Sequence, residues 1–357
     1  MKKNVPLVQI IGLLGLLSLL TPALDDPDKM QITDESGKVL TTQETEKACI
    51  YGKPVLRGFF DLQHRSKTIG ALPVGLSFGQ FEVQVAVELN EFFYAEGSFA
   101  LGEGSFEPGS VFFDFSISRL LESKGYSPSF ENGLIVGQFD VPFGLDYRCM
   151  PSPNRPNITA PLINQRTINS WNDIGASLYH SGRFVNTNLF VLSQTWLGNS
   201  IGGRIGLMPV SYCEIGVSEC KNLSADTLGQ RSVQGLDCHL ELDFVQIQGE
   251  YLFAKGIIDG ELASAGNIKH SGYYLQALID IEKKYSFPFY LLVRHGSWES
   301  DAPALVDPSD TISRFTAALG YRVAPGVEVR LEYLNQQSDD PSWRYSGLSS
   351  QLLVYFE

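Results

Sequence analysis

The stretch FEVQVAVELNEFFYAEGSFAL, Phe81–Leu101, keeps a strict two-residue rhythm. Phe81, Val83, Val85, Val87 and Leu89 alternate with Glu82, Gln84, Ala86 and Glu88, so an extended chain carries apolar groups on one face and polar groups on the other. Asn90-Glu91 breaks the run and a second one follows, which predicts two strands of roughly ten residues joined by a tight turn. The same rhythm returns in KPVLRGFFDLQH, VFFDFSIS, FVQIQGEYLF, RFTAALGYR and VEVRLEY. A chain written this way folds as a half-apolar sheet. Either it stacks into a soluble sandwich, or it closes into a barrel with lipid outside and water inside.

Three features favour the membrane barrel. The strands have the length that crosses a tilted bilayer path, roughly ten residues. Aromatic residues gather toward strand ends, among them Phe92, Phe93, Tyr94, Tyr273, Tyr290, Tyr321, Tyr333 and Tyr355. Tight connections (Asn90-Glu91, His180–Arg183, Leu242-Asp243, Glu282–Ser286, Val323–Gly326) alternate with long ones (Arg65–Gly75, Leu145–Trp171, Trp196–Gln230, Lys255–His270, Ser300–Thr311, Gln337–Arg344). The expected fold is therefore all-β: a transmembrane antiparallel up-and-down barrel of about 14 strands, with 12–16 admitted. Leu121–Asn132 is long for the short-turn side to which this register assigns it.

The start of the chain agrees with export. MKKNVPLVQIIGLLGLLSLLTPA has Lys2 and Lys3, an apolar stretch and a small residue at Ala23, the pattern of a secretory signal peptide over residues 1–23. Residues 24–50 read as a polar periplasmic segment and 51–357 as the barrel. With 43% hydrophobic residues and no other apolar run of helix-spanning length, hydropathy alone would suggest a soluble protein, a scan that half-apolar barrel strands escape. The formal net charge of -13 argues against nucleic acid as a partner. Of five cysteines, Cys213 and Cys220 lie close together in SYCEIGVSECKN, read here as an external loop, and a disulfide between them is expected in an oxidising compartment. Cys49, Cys149 and Cys238 are left unassigned, and Asn157 in NIT matches a glycosylation acceptor pattern that an exported bacterial chain gives little reason to use.

The polar strand faces define a pore lining. Its acidic members are Asp61, Glu82, Glu88, Glu96, Asp114, Asp140, Asp237, Glu250, Asp280 and Glu332; its basic members are Arg57, Arg294, Arg314, Arg322 and Arg330. The basic residues fall on the first and last strands, which become neighbours on closure, so one basic wall faces an acidic one. A carboxylate surplus favours cations. His239 sits between Asp237 and Glu241, which is also how a wet lumen wall looks. No nucleophile–base spacing argues for catalysis, so no enzyme, cofactor or metal is expected.

GLIVGQFDVPFGLDYRCMPSPNRPNITAPL, with GQFDVPFG at Gly137–Gly144, and the late hairpin ALGYRVAPGVEVRLEY, Ala318–Tyr333, resemble the bacterial phosphate-selective porin O and P family. The terminal SSQLLVYF resembles the last strand of such barrels, with Glu357 as one extra residue after Phe356. The resemblance implies an outer-membrane porin in a Gram-negative-type envelope, in contact with outer-membrane lipid, the barrel-assembly machinery and small polar solutes; the oligomeric state stays open, a homotrimer included. It also implies that Leu145–Trp171, with Asp146, Arg148, Arg155 and Arg166, folds into the lumen as a constriction, where acidic strands carrying Glu82, Glu88 and Asp140 would suit its arginines. The anion preference implied by the family name sits badly with the acidic lining. The expected function is a passive channel for small polar solutes or ions with a weak cation preference. The alternatives are a receptor or adhesion barrel that binds a ligand with its long loops, and, further off, a barrel hydrolase.

Overall fold

The rhythmic stretch forms a hairpin of β2 (Gly75–Glu88) and β3 (Phe93–Gly102). The turn between them is built by Asn90, whose Oδ1 accepts the N–H groups of Phe92 and Phe93 at 2.8 and 3.0 Å, an Asx turn that explains why the alternation breaks there. This is a computed structural model, and it describes residues 52–66, 74–102, 105–149, 152–168, 171–193, 198–223, 231–258, 261–262, 268–301 and 311–356. The expected signal peptide (1–23) and polar segment (24–50) lie outside the described residues.

Thirteen more barrel strands extend the hairpin up to the last: β1 (Val55–Arg65), β4 (Ser105–Ser116), β5 (Glu131–Asp140), β6 (Asn172–Ser181), β7 (Val185–Leu192), β8 (Ser200–Val210), β9 (Cys213–Asn222), β10 (Ser232–Leu242), β11 (Val245–Lys255), β14 (Lys269–Asp280), β15 (Phe289–Ser300), β16 (Ile312–Ala324) and β17 (Val327–Ser338). The last strand, β18 (Tyr345–Phe356), pairs with β1 and closes an antiparallel barrel of sixteen strands. A ribbon of β12 (Ile257–Ile258) and β13 (Glu261–Leu262) stands apart from the barrel sheet. Closure leaves no edge, as a sheet in hydrocarbon requires.

The outer face decides between sandwich and membrane barrel. Leu178, Leu189, Val217, Leu275, Val293, Leu331 and Leu348 are all exposed. A soluble sandwich would bury its apolar faces; this sheet turns them outward on successive strands, as a lipid-facing belt.

The expected count of about 14 was short by one hairpin. β8 and β9 lie within Trp196–Gln230, a stretch whose polar sequence reads as a single long connection. The same finding removes the expected disulfide. Cys213 and Cys220 are both free and sit on one strand, β9. Their odd separation puts them on opposite faces, Cys220 buried inside and Cys213 beside outward-facing Ile215. Extended backbone holds them about 20 Å apart, far beyond bridging range.

The start of β1 and the end of β18 share one end of the barrel, the terminal end. The connections there are mostly tight, with two exceptions that carry helices. α1 (Ile117–Ser123) fills the connection between β4 and β5, which accounts for the length of Leu121–Asn132; Ser116 caps it, its Oγ accepting the Arg119 N–H at 3.3 Å. α3 (Ile281–Tyr285) follows β14, capped by Asp280. The longest connection, 141–171, is at the opposite end and carries α2 (Leu162–Thr167).

Candidate functional site: a loop folded into the barrel

The segment 141–171 enters through the GQFDVPFG motif. Gly144 takes φ +63, and a Cβ there would fall 1.6 Å from Glu250 Oε1, so the turn into the lumen needs glycine on two counts. The Gly144 N–H then bonds Ser218 Oγ at 3.0 Å. Past this turn the loop buries Val141, Phe143, Leu162, Ile163 and Trp171 against Phe190, Leu192, Val233, Leu252, Trp298 and Ile312 of the wall. Each fully buried side chain of this kind contributes about 1.5–3 kcal/mol, and this apolar seam draws the loop inward rather than over the mouth.

Polar bonds fasten the rest. Glu332 takes the Ile158 and Thr159 N–H groups at 3.0 and 3.1 Å, the Thr159 hydroxyl at 2.8 Å and Asn157 Nδ2 at 3.0 Å. The NIT motif is thus a carboxylate clasp. Arg294 donates to the Thr159 and Ala160 carbonyls at 2.7 and 3.2 Å, and Arg314 to Gln165 Oε1 at 2.7 Å. Arg330 donates to the Ser152 carbonyl at 2.9 Å, while the Ser152 hydroxyl reaches Asp61 at 2.7 Å. Asn164 donates to Glu250 at 3.1 Å. Arg166 lies over the rings of Trp298 and Trp343, 4.7 and 4.8 Å from their centroids.

Four charges on the other flank were only half legible. Arg148 of the loop grips Glu214 with both terminal nitrogens, at 2.9 and 3.0 Å. Burial pulls the Arg148 guanidinium down, and its bonds to Glu214 more than reverse this, so it is held above its ordinary range. Glu214 also takes Arg204 at 2.7 Å, and Arg204 in turn bonds Asp237 at 2.5 and 3.0 Å. Arg204 is fully buried. Gly206 and Gly216 make its berth: a Cβ on either would come within 2.9 or 2.4 Å of its guanidinium. Arg204 and Glu214 were missed because their hairpin was. The signal was present in SIGGRIGLMPV, where Ile201, Ile205 and Leu207 alternate with Arg204 once glycine is allowed on both faces.

The expected pore lining divides in three. Asp61, Asp237, Glu250, Arg294, Arg314, Arg330 and Glu332 face inward, and all are buried beneath the loop or its salt-bridge network. The loop arginines also do not seek Glu82, Glu88 or Asp140. Arg148 goes to Glu214 and Arg166 to the two tryptophans, because the apolar seam lies on β7–β16 and fixes which side the loop takes. Asp146 is buried within the docked segment, and Arg155 lines a cavity of about 220 Å³ with Arg322, Arg330 and Glu328.

The uncovered wall, β2–β6, carries the second group. Glu82, Glu96, Asp114 and Asp140 are partly exposed. Each is held by a neutral side chain: Gln80 to Glu82 at 3.0 Å, Tyr94 to Glu96 at 2.5 Å, Tyr179 to Asp114 at 3.2 Å and Asn172 to Asp140 at 2.8 Å. Arg57, opposite Gln84 in the register, is the basic residue of the expected lining on this side. At the terminal mouth Glu88 meets Arg119 at 3.4 Å and Asp280 meets Arg322 at 3.1 Å. The trio around His239 does not converge on a common point: Asp237 is taken by Arg204 and Glu241 by Lys283 at 3.1 Å.

No protein-family model matches the chain, and no curated protein matches it in sequence. Solved structures do match in fold. The anion-selective porin of Comamonas acidovorans superposes with a TM-score of 0.62 at 14% identity, over 85% of this chain and 100% of that one. OmpF of Salmonella typhi, solved with daunomycin, gives 0.62 at 9% identity over 86% and 99%. The outer-membrane channel DcaP of Acinetobacter baumannii gives 0.60 at 10% identity over 86% and 98%. At these identities the likeness is one of architecture, and the chain has the fold of bacterial outer-membrane porins.

Proposed function

We propose that the protein is an outer-membrane porin, a passive diffusion channel for small polar solutes and ions with a weak cation preference. The observation that carries this is the loop 141–171 clasped inside a closed barrel, with the carboxylate-rich β2–β6 wall facing the docked loop. A wall of carboxylates favours cations. The terminal end then faces the periplasm, with residues 1–23 as signal peptide and 24–50 as a periplasmic segment. Kinship to the porin O and P family would be one of architecture, with the anion preference of that family absent. A homotrimer fits the reading, since one of the structural neighbours, OmpT of Vibrio cholerae, was solved in a trimer form. No catalytic role is assigned.

The test is conductance of the full chain in planar bilayers with a salt gradient. Steady ohmic steps with a reversal potential toward that of potassium are expected. Absence of conductance from a folded barrel, or a reversal potential toward that of chloride, overturns the reading.

A further inference from the structure

A cavity of about 940 Å³ opens at the terminal end against β3–β6. Its walls include the carboxylates Glu88, Asp114, Glu122 and Glu131 against two arginines, Arg119 and Arg183. They also include the rings of Phe92, Tyr94, Phe130 and Tyr179. The centre of this arrangement is Asp114. Tyr94 stands directly across from it in the β3–β4 register. Tyr179 donates to both of its oxygens at 3.2 Å. The Tyr179 ring reaches Asp114 by lying across Gly133, where a Cβ would come within 2.3 Å of the phenol oxygen. Glycine therefore permits the ring to lie along the wall, one face on the backbone and the other toward the cavity that it lines.

We propose that this vestibule is a recognition site for small organic ammonium solutes, with Asp114 taking the charge and Tyr94 and Tyr179 taking the apolar body. The inference rests on the porin reading and adds a solute class to it. A carboxylate attracts any cation, potassium included. Phenol rings beside it distinguish: their negative faces attract a cation that carries carbon, and they bury its apolar surface. The volume is in the range that holds a small organic molecule. The tyrosine bond to Asp114 is neutral, so it orients the carboxylate without cancelling it.

The experiment adds phenethylammonium, its uncharged analogue phenethyl alcohol and the anion 3-phenylpropionate to single channels of the full chain carrying potassium current. Phenethylammonium is expected to interrupt the current in a concentration-dependent way, and the other two are not. Asp114→Asn and Tyr94→Leu should each weaken the block roughly fivefold, the size of a partly solvated cation–π or charge contact, while Tyr94→Phe, which keeps the ring, should retain most of it. Equal block by all three probes, or full block in both weakened variants, overturns the site. If potassium preference persists and phenethylammonium is not favoured, this inference falls and the porin reading stands. If the barrel does not conduct, the porin reading falls, and calorimetric titration of phenethylammonium into the detergent-solubilised full chain decides the site by itself: heat of binding lost in Asp114→Asn supports it, and no heat in the unaltered chain rejects it.

Discussion

Glu332 on β17 holds Thr159 of the inner loop twice, by its backbone N–H at 3.1 Å and its hydroxyl at 2.8 Å. A carboxylate buried to 1% exposure is stable there because the loop supplies it with donors. The dependence runs both ways. Glu332→Ala leaves the buried Ile158 and Thr159 N–H groups and the Asn157 amide without their carboxylate acceptor, at a cost of about 1–3 kcal/mol for each group left unsatisfied. The expected outcome is a barrel that still folds but shows noisy, flickering current as the loop tip works loose. Quiet single-channel traces indistinguishable from those of the unaltered protein would count against the clasp.

Removing the tip tests constriction directly. The stretch Ser152–Pro161 contributes the hydroxyl on Asp61, the carbonyl under Arg330 and the clasp on Glu332. The apolar seam from Phe143 and from Leu162 to Trp171 lies outside it and should keep the flanks docked. Deleting Ser152–Pro161 is expected to raise single-channel conductance in a correctly folded barrel, and unchanged conductance rejects the constriction.

How much of this was legible depended on which faces were polar. β2 and β3 were read correctly because one face meets lipid and the other water, so the alternation survives intact. β8 and β9 were not. Gly202, Gly203, Gly206 and Gly216 interrupt the pattern, the first to clear Phe190 and the β9 backbone, the last two to seat Arg204. Under the loop the inner face is itself apolar at Leu252, Trp298 and Ile312, so the rule of polar inside fails where the loop must bind. The inward fold of the loop follows from strand register and resemblance together. Charge points the loop toward the acidic strands, but the buried tryptophan and leucine surface decides which side it docks on.

The Arg204 network makes a stability prediction. Its guanidinium is fully buried between Glu214 and Asp237. Arg204→Ala strands Asp237 without a cationic partner and leaves Glu214 with Arg148 alone, and breaking a buried pair from one side costs about 3–5 kcal/mol. The heat-modifiable gel shift of the folded barrel should be lost at a clearly lower temperature in this variant. Arg204→Met, of similar length and without charge, should do no better, since the carboxylates remain.

Cysteine chemistry gives a further check on the fold. With Cys213 outside and Cys220 buried inside on one strand, peptide mapping of the unreduced protein should find no bridge between them. A Cys213–Cys220 linkage in folded protein would mean that β9 does not exist as a continuous strand.

The proposed cation preference rests on the uncovered carboxylates. Glu82, Glu96 and Asp140 sit on β2, β3 and β5 of the open wall, each bonded to a neutral group that orients it. The carboxylates under the loop, such as Glu250 and Glu332, are already engaged there and reach no passing ion. Replacing Glu82, Glu96 and Asp140 together by their amides should therefore bring the reversal potential close to zero or past it toward chloride. Glu250→Gln should leave the sign unchanged. The preference of the unaltered channel should also fade with salt, because the screening length shrinks from about 30 Å at 0.01 M to about 3 Å at 1 M. A triple variant that kept its potassium preference at low salt would move the selectivity away from this wall and onto the loop.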